Sequence, residues 1–109
     1  MEKINFIPLG SVVQLYGGTQ KLMVVSRALT VQRGEKNYYF DYGGVMYPQG
    51  LIGAQMAYFN HDAIRSISFI GCNDADNQAI VRMINDNLEK KDDLVRCTPE
   101  EWELASKTE

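Results

Sequence analysis

Between Pro8 and Arg27 the chain reads as two β-strands joined by a glycine turn, and that hairpin constrains everything downstream. Ser11 to Tyr16 is apolar and β-branched with polar breaks. Gly17-Gly18-Thr19 then supplies residues that tolerate a positive φ, as a tight hairpin requires. Leu22 to Arg27 resumes as a short apolar run bounded by turn residues, the pattern of a strand buried on both faces, and Leu29 to Gln32 extends it.

The same punctuation repeats. Arg33-Gly34-Glu35-Lys36-Asn37 predicts a second hairpin loop and Tyr38 to Tyr42 an aromatic-rich strand. Gly43-Gly44 predicts a bulge or bend, because an interior glycine pair weakens regular pairing. Val45-Met46-Tyr47 leads into a Pro48-Gln49-Gly50 turn, and Leu51 to Ala54 continues as an irregular loop. Gln55 to Phe59 predicts a fourth strand, Asn60 to Ala63 a short turn with Asn60 as N-cap, and Ile64 to Ile70 a fifth strand ended by Gly71.

The periodicity then changes. From Asp74 to about Lys91, Ala79, Ile80, Met83, Ile84 and Leu88 recur at offsets of three and four, which places them on one helical face. Asn73 or Asp74 caps the start, Asp76 suits the positive end of the helix dipole, and Lys90 and Lys91 suit the other end. Thr98-Pro99-Glu100-Glu101 is a second start signal: threonine at N-cap, proline at the first helical position and glutamate at the third. The short helix it opens holds Trp102, Leu104 and Ala105, and Ser106 to Glu109 are expected to fray. The expected fold is α+β: one domain over residues 1–109, with a small curved antiparallel sheet of five strands over about 8–71. One long helix and a short C-terminal helix follow over about 74–106.

Composition narrows the function. A chain of 109 residues with 45% hydrophobic residues builds one core. A net charge of -3 argues against a basic nucleic-acid face. No apolar run approaches the roughly 18 residues that span a bilayer, and Met1 to Phe6 shows no cleavable signal pattern, so a cytoplasmic protein without membrane insertion is predicted. Cys72 and Cys97 form no CxxC and read as reduced thiols; with one histidine, a zinc site of the usual kinds cannot be assembled, and no cofactor is expected.

Local motifs add no chemistry. Gly17-Gly18-Thr19-Gln20-Lys21 lacks the spacing of a phosphate-binding loop and leads into a strand rather than a helix. His61 beside Asp62 on a turn lacks an activated nucleophile. Asn73, Asp74, Asp76 and Asn77 lack the distal glutamate of a calcium loop and read as helix N-terminal charge. A non-enzymatic protein is therefore expected. Aromatic and methionine residues crowd the middle of the chain, and alternation turns about half of them outward. Exposed tyrosine and methionine suit protein–protein contact. Tyr42, Met46, Tyr47, Met56, Tyr58 and Trp102 are the expected docking residues.

Three blocks carry a family resemblance: Pro8-Leu9-Gly10-Ser11-Val12-Val13 with Gly17-Gly18-Thr19 and Lys21 to Val25; Phe40 to Gly50, close to Tyr-Asp-Tyr-x-Gly-Val-x-Tyr-Pro-x-Gly with Phe40 in the first tyrosine's place; and Phe59-Asn60-His61-Asp62-Ala63-Ile64. Over residues 8 to about 70 the chain resembles the EsaE-like family of small type VIIb secretion-associated proteins of Gram-positive bacteria. The resemblance implies a cytoplasmic targeting chaperone that binds an LXG-domain toxin and delivers it to the secretion ATPase. Two other readings compete. An immunity protein would bind the toxin's catalytic end. A nucleic-acid or regulatory module would gather Lys21, Arg27, Arg33, Lys36 and Arg65 on one face.

Overall fold

In the computed structural model, which describes residues 1–107, five antiparallel strands form one open sheet followed by two helices. The strands are β1 (Val12–Leu15), β2 (Lys21–Arg33), β3 (Lys36–Tyr47), β4 (Ala57–Phe59) and β5 (Ile64–Phe69). Their spatial order is β4-β3-β2-β1-β5. The long β2–β3 hairpin is the spine. Its turn is only Gly34-Glu35, with Gly34 at a φ of 66°, so the second hairpin loop is tighter than the sequence pattern implies.

β3 runs unbroken through the Gly43-Gly44 pair. The register shift lies opposite it on β2, between Val24 and Ser26. The glycines serve close approach instead: a Cβ on Gly44 would lie 3.0 Å from the Met23 carbonyl oxygen and 3.3 Å from the Phe59 ring. Ala28, two residues beyond the shift, is the one described non-glycine residue at positive φ, 52°.

A short 3-10 turn (His61–Ala63) separates β4 from β5; the helices are α1 (Ala75–Glu89) and α2 (Pro99–Lys107). Asp74 caps α1 by accepting the Asn77 backbone N–H at 2.9 Å. The capping box of α2 forms as its residue types dictate: the Glu101 N–H donates to Thr98 Oγ1 at 3.1 Å, and the Thr98 N–H donates to Glu101 Oε1 at 3.3 Å.

The core lies on one face of the sheet, here the inner face. Val13, Leu22, Val24, Tyr39, Tyr42 and Phe59 pack there with Phe6 and Ile7 of the N-terminal segment and Leu88 of α1. Phe6 meets Tyr42 edge-on at 5.6 Å, and Tyr42 stacks on Phe59 at 5.5 Å. The buried stripe of α1 differs from the expected one. Val81, Ile84 and Leu88 pack on the core, whereas Ile80 and Met83 are exposed. The reason is the partner. The N-terminal segment offers backbone, so Asn85 bonds both the N–H and the carbonyl of Ile4 (3.2 and 2.8 Å), and Arg27 joins the Ile7 carbonyl to Asn77 Oδ1 (3.2 and 2.7 Å).

After α1 the chain crosses the rim of the sheet. β4 pairs only with residues 42–44 of β3, leaving the first half of β3 without a strand beyond it. Arg96 bridges Tyr39 there, and the Cys97 N–H donates to the Tyr39 carbonyl at 2.9 Å. That strap carries α2 onto the opposite, outer face. No helix among the described residues is long and apolar enough to cross a membrane.

Candidate functional site

Residues directly opposite each other in a sheet share a face. Phe69 pairs with Val12, Val12 with Met23 and Met23 with Val45, so four strands contribute to one apolar row. The row lies on the outer face, because its neighbours Val13, Leu22 and Val24 point into the core. Val12 and Val45 in the row are buried, and its exposed end lines a cleft to which neither helix contributes. Phe69 is 61% exposed and Tyr47, beside it, 44%; a shallow cleft of about 410 Å3 runs between them over Val12 and Met23.

The other end of the outer face is aromatic. Trp102 of α2 meets Phe40 edge-on at 5.0 Å, Tyr38 at 5.5 Å and Tyr58 at 5.7 Å, and Phe40 stacks on Tyr58 at 5.6 Å. The Arg33 guanidinium lies 3.6 Å above the indole and donates to the Trp102 carbonyl at 3.3 Å. A cleft of about 480 Å3 continues from Trp102 past Val31, Met56 and Ala57 to Met46.

Between the faces sits a buried polar hub. Asp41 is 0% exposed. Its carboxylate accepts from Tyr39 Oη at 3.0 Å, from the His61 backbone N–H at 2.9 Å and from Arg96 Nε at 2.9 Å. Asn60 accepts the Asp41 N–H and donates to the Cys97 carbonyl at 2.6 Å, so its side chain fastens the strap instead of capping the turn it precedes. Tyr42 Oη accepts the Ile7 N–H at 3.0 Å and lies 2.7 Å from His61 Nδ1. Burial, more than the neighbouring carboxylate, pushes the Tyr39 hydroxyl well above its usual range and that of Tyr42 up to about 12. Burial likewise lifts the Cys97 thiol and lowers Arg27. Every described buried side-chain nitrogen or oxygen is hydrogen-bonded. The hub therefore spends its polar groups on holding the two chain ends against the sheet.

The six expected docking residues separate. Tyr42 is fully buried and offers no surface. Met46 packs against the core, and Met56 and Tyr58 line the cleft beside α2. Trp102 packs on this domain's own sheet, and Tyr47 borders the open row. Phe69, Val12 and Met23 were not among them, because the row forms only when four strands align. The cations considered for a nucleic-acid face do not gather: Arg27 reaches α1 on the inner side, while Arg33 lies on Trp102 on the outer side. Among the described residues no cluster of histidine, cysteine and carboxylates is placed to hold a metal ion.

A family model described as a domain of unknown function (DUF4176) matches residues 6–80, a segment that contains all five strands and the first part of α1. No curated protein and no solved structure matches the chain.

Proposed function

The chain belongs to the DUF4176 family, and we propose that it is a cytoplasmic docking protein, a targeting chaperone that binds an LXG-domain toxin and presents it for type VIIb secretion. One observation carries the docking part: the exposed Phe69 and Tyr47 flank an outer-face cleft floored by Val12 and Met23, at the end of the row Phe69–Val12–Met23–Val45. Contiguous exposed apolar surface on a small protein marks an interaction site. The toxin and the secretion route rest on the three sequence blocks, which lie on β1–β2, on β3 with its following turn, and on the junction of β4 with β5.

Co-expression with an LXG toxin encoded beside it, followed by size exclusion, tests the reading. The two proteins are expected to co-elute. Phe69→Ser and Tyr47→Ala should each abolish co-elution while leaving the melting temperature in place. Failure of the wild-type pair to co-elute overturns the toxin assignment; complexes unaffected by both substitutions overturn the surface. A complex formed only with the toxin's catalytic end would make the protein an inhibitor rather than a chaperone.

A further inference from the structure

We infer that the aromatic cleft on the outer face is an exchangeable helix-docking site, occupied in the free protein by α2, which takes from a partner an acidic amphipathic helix with one aromatic anchor. The inference deepens the docking reading above and rests on it only for the partner's identity.

Four observations carry it. First, α2 is a weak resident. It has nine residues, too few to be stable as an isolated helix, and its packing rests on the Trp102 ring and the small buried Ala105, with Leu104 65% exposed. Second, α2 fills only one end of its cleft. The remaining volume of about 480 Å3 extends from Trp102 past Val31 and Met56 to Met46, so a longer occupant covers apolar wall that α2 leaves open.

Third, the charges define the occupant. Arg33 sits over the Trp102 ring and Lys36 lies 5.4 Å from the Tyr38 ring, at the hairpin tip beside the start of α2. The first turn of α2 carries Glu100 and Glu101. Lys36 and Glu101 line one cleft, so a helix with carboxylates in its first turn and an aromatic group one residue later brings the same charge and ring to these cations. Fourth, the cleft walls Val31, Phe40, Met56 and Tyr58 fall inside the family-matched segment, while α2 falls outside it. A tethered plug lowers apparent affinity by the fraction of time the cleft is open. Weakening α2 must therefore strengthen binding, the opposite of what loss of a structural helix does.

The experiment uses the full-length protein and a fluorescein-labelled peptide of sequence Thr98–Lys107 as probe, read by fluorescence anisotropy. Trp102→Ala protein should bind the peptide roughly tenfold or more tightly than wild type, the scale expected when one anchor residue is removed from the competing helix. Thr98→Ala, which removes only the cap of α2, should give an intermediate, severalfold gain, and it serves if Trp102→Ala does not fold. Adding Tyr58→Ala to either variant should abolish the gain. A peptide carrying Lys at the Glu100 and Glu101 positions should bind more weakly. Equal binding by wild type and variants, or no binding by variants that retain the native circular dichroism spectrum, overturns the inference. Toxin co-elution that survives such a result leaves the docking function standing without it.

Discussion

Arg96 Nε donates to both carboxylate oxygens of Asp41, at 3.0 and 2.9 Å, across 55 positions of sequence. The same guanidinium donates through Nη2 to the Glu2 carbonyl at 3.1 Å. One side chain thus ties the strap to the sheet and to the first residues of the chain. Asp41 is wholly buried and Arg96 mostly so. Removing the cation strands a buried charge, which costs about 3–5 kcal/mol where no other donor remains. Tyr39 and the His61 N–H still serve Asp41, so Arg96→Met should lower the unfolding free energy by about 3 kcal/mol, the low end of that range. Urea denaturation measures it; a loss under 1 kcal/mol would show the pair to be ornamental.

Tyr39 and Tyr42 make the fold alkali-sensitive. In the unfolded chain a tyrosine loses its proton near pH 10; in the native fold Tyr42 holds it to about 12. Across that window the native state binds more protons than the unfolded one, so stability falls as pH rises. The contribution is complete below about pH 10 and is lost at up to ~1.4 kcal/mol per pH unit for each tyrosine above it. Urea midpoints at pH 8, 10 and 11 should show a plateau and then a decline, and Tyr42→Phe should flatten the decline.

Two backbone positions should respond in opposite directions. Ala28 holds a left-handed φ of 52° inside β2, a conformation that costs an L-residue about 1–2 kcal/mol. Ala28→Gly removes that strain, against about 0.5–1 kcal/mol of added unfolded-state entropy, so the melting temperature should hold or rise. Gly71 is the reverse case. A Cβ there would collide with the Leu9 carbonyl oxygen, so Gly71→Ala forces the backbone apart and should cost about 1–3 kcal/mol. A lower melting temperature for Ala28→Gly, or an unchanged one for Gly71→Ala, contradicts this account.

The capping box offers a local test. Thr98→Ala removes the acceptor of the Glu101 N–H and should cost about 1 kcal/mol. Because the loss falls on α2, amide exchange should quicken in residues 99–107 and leave β2 and β3 unchanged. Uniform acceleration across the sheet would mean that α2 does not move independently.

Features encoded within a few residues were legible in the sequence. The five strands, the Gly17 turn, the Asp74 cap and the Thr98–Glu101 box follow from φ tolerance, alternation and side-chain hydrogen bonding, all of which act over short spans. Wherever a partner from elsewhere decides, the reading failed or stopped. Helical spacing found Ile84 and Leu88, which pack, but not Val81, which also packs, and it put Ile80 and Met83, which are exposed, on the same face. Nothing local shows that amides on the inner face of α1 are needed to meet bare N-terminal backbone. The glycine pair marked an irregularity correctly, but the shift belongs to the facing strand.

The places of the expected docking residues were only partly legible. Tyr47, Met56, Tyr58 and Trp102 reach the outer face, while Tyr42 belongs to the core. The row through Phe69, Val12, Met23 and Val45 needs the register of four strands at once, and pairing over such separations leaves no mark in any single window.

The strap over the first half of β3 has a consequence for synthesis. A nascent chain that has emerged only as far as β5 still lacks Arg96 and Cys97, so the Asp41 carboxylate and the Tyr39 carbonyl have neither partner. A sheet folded only as far as β5 therefore keeps one raw border, which the segment after α1 completes. Ribosome-bound fragments ending before residue 94 should be far more protease-sensitive at β3 than the released polypeptide.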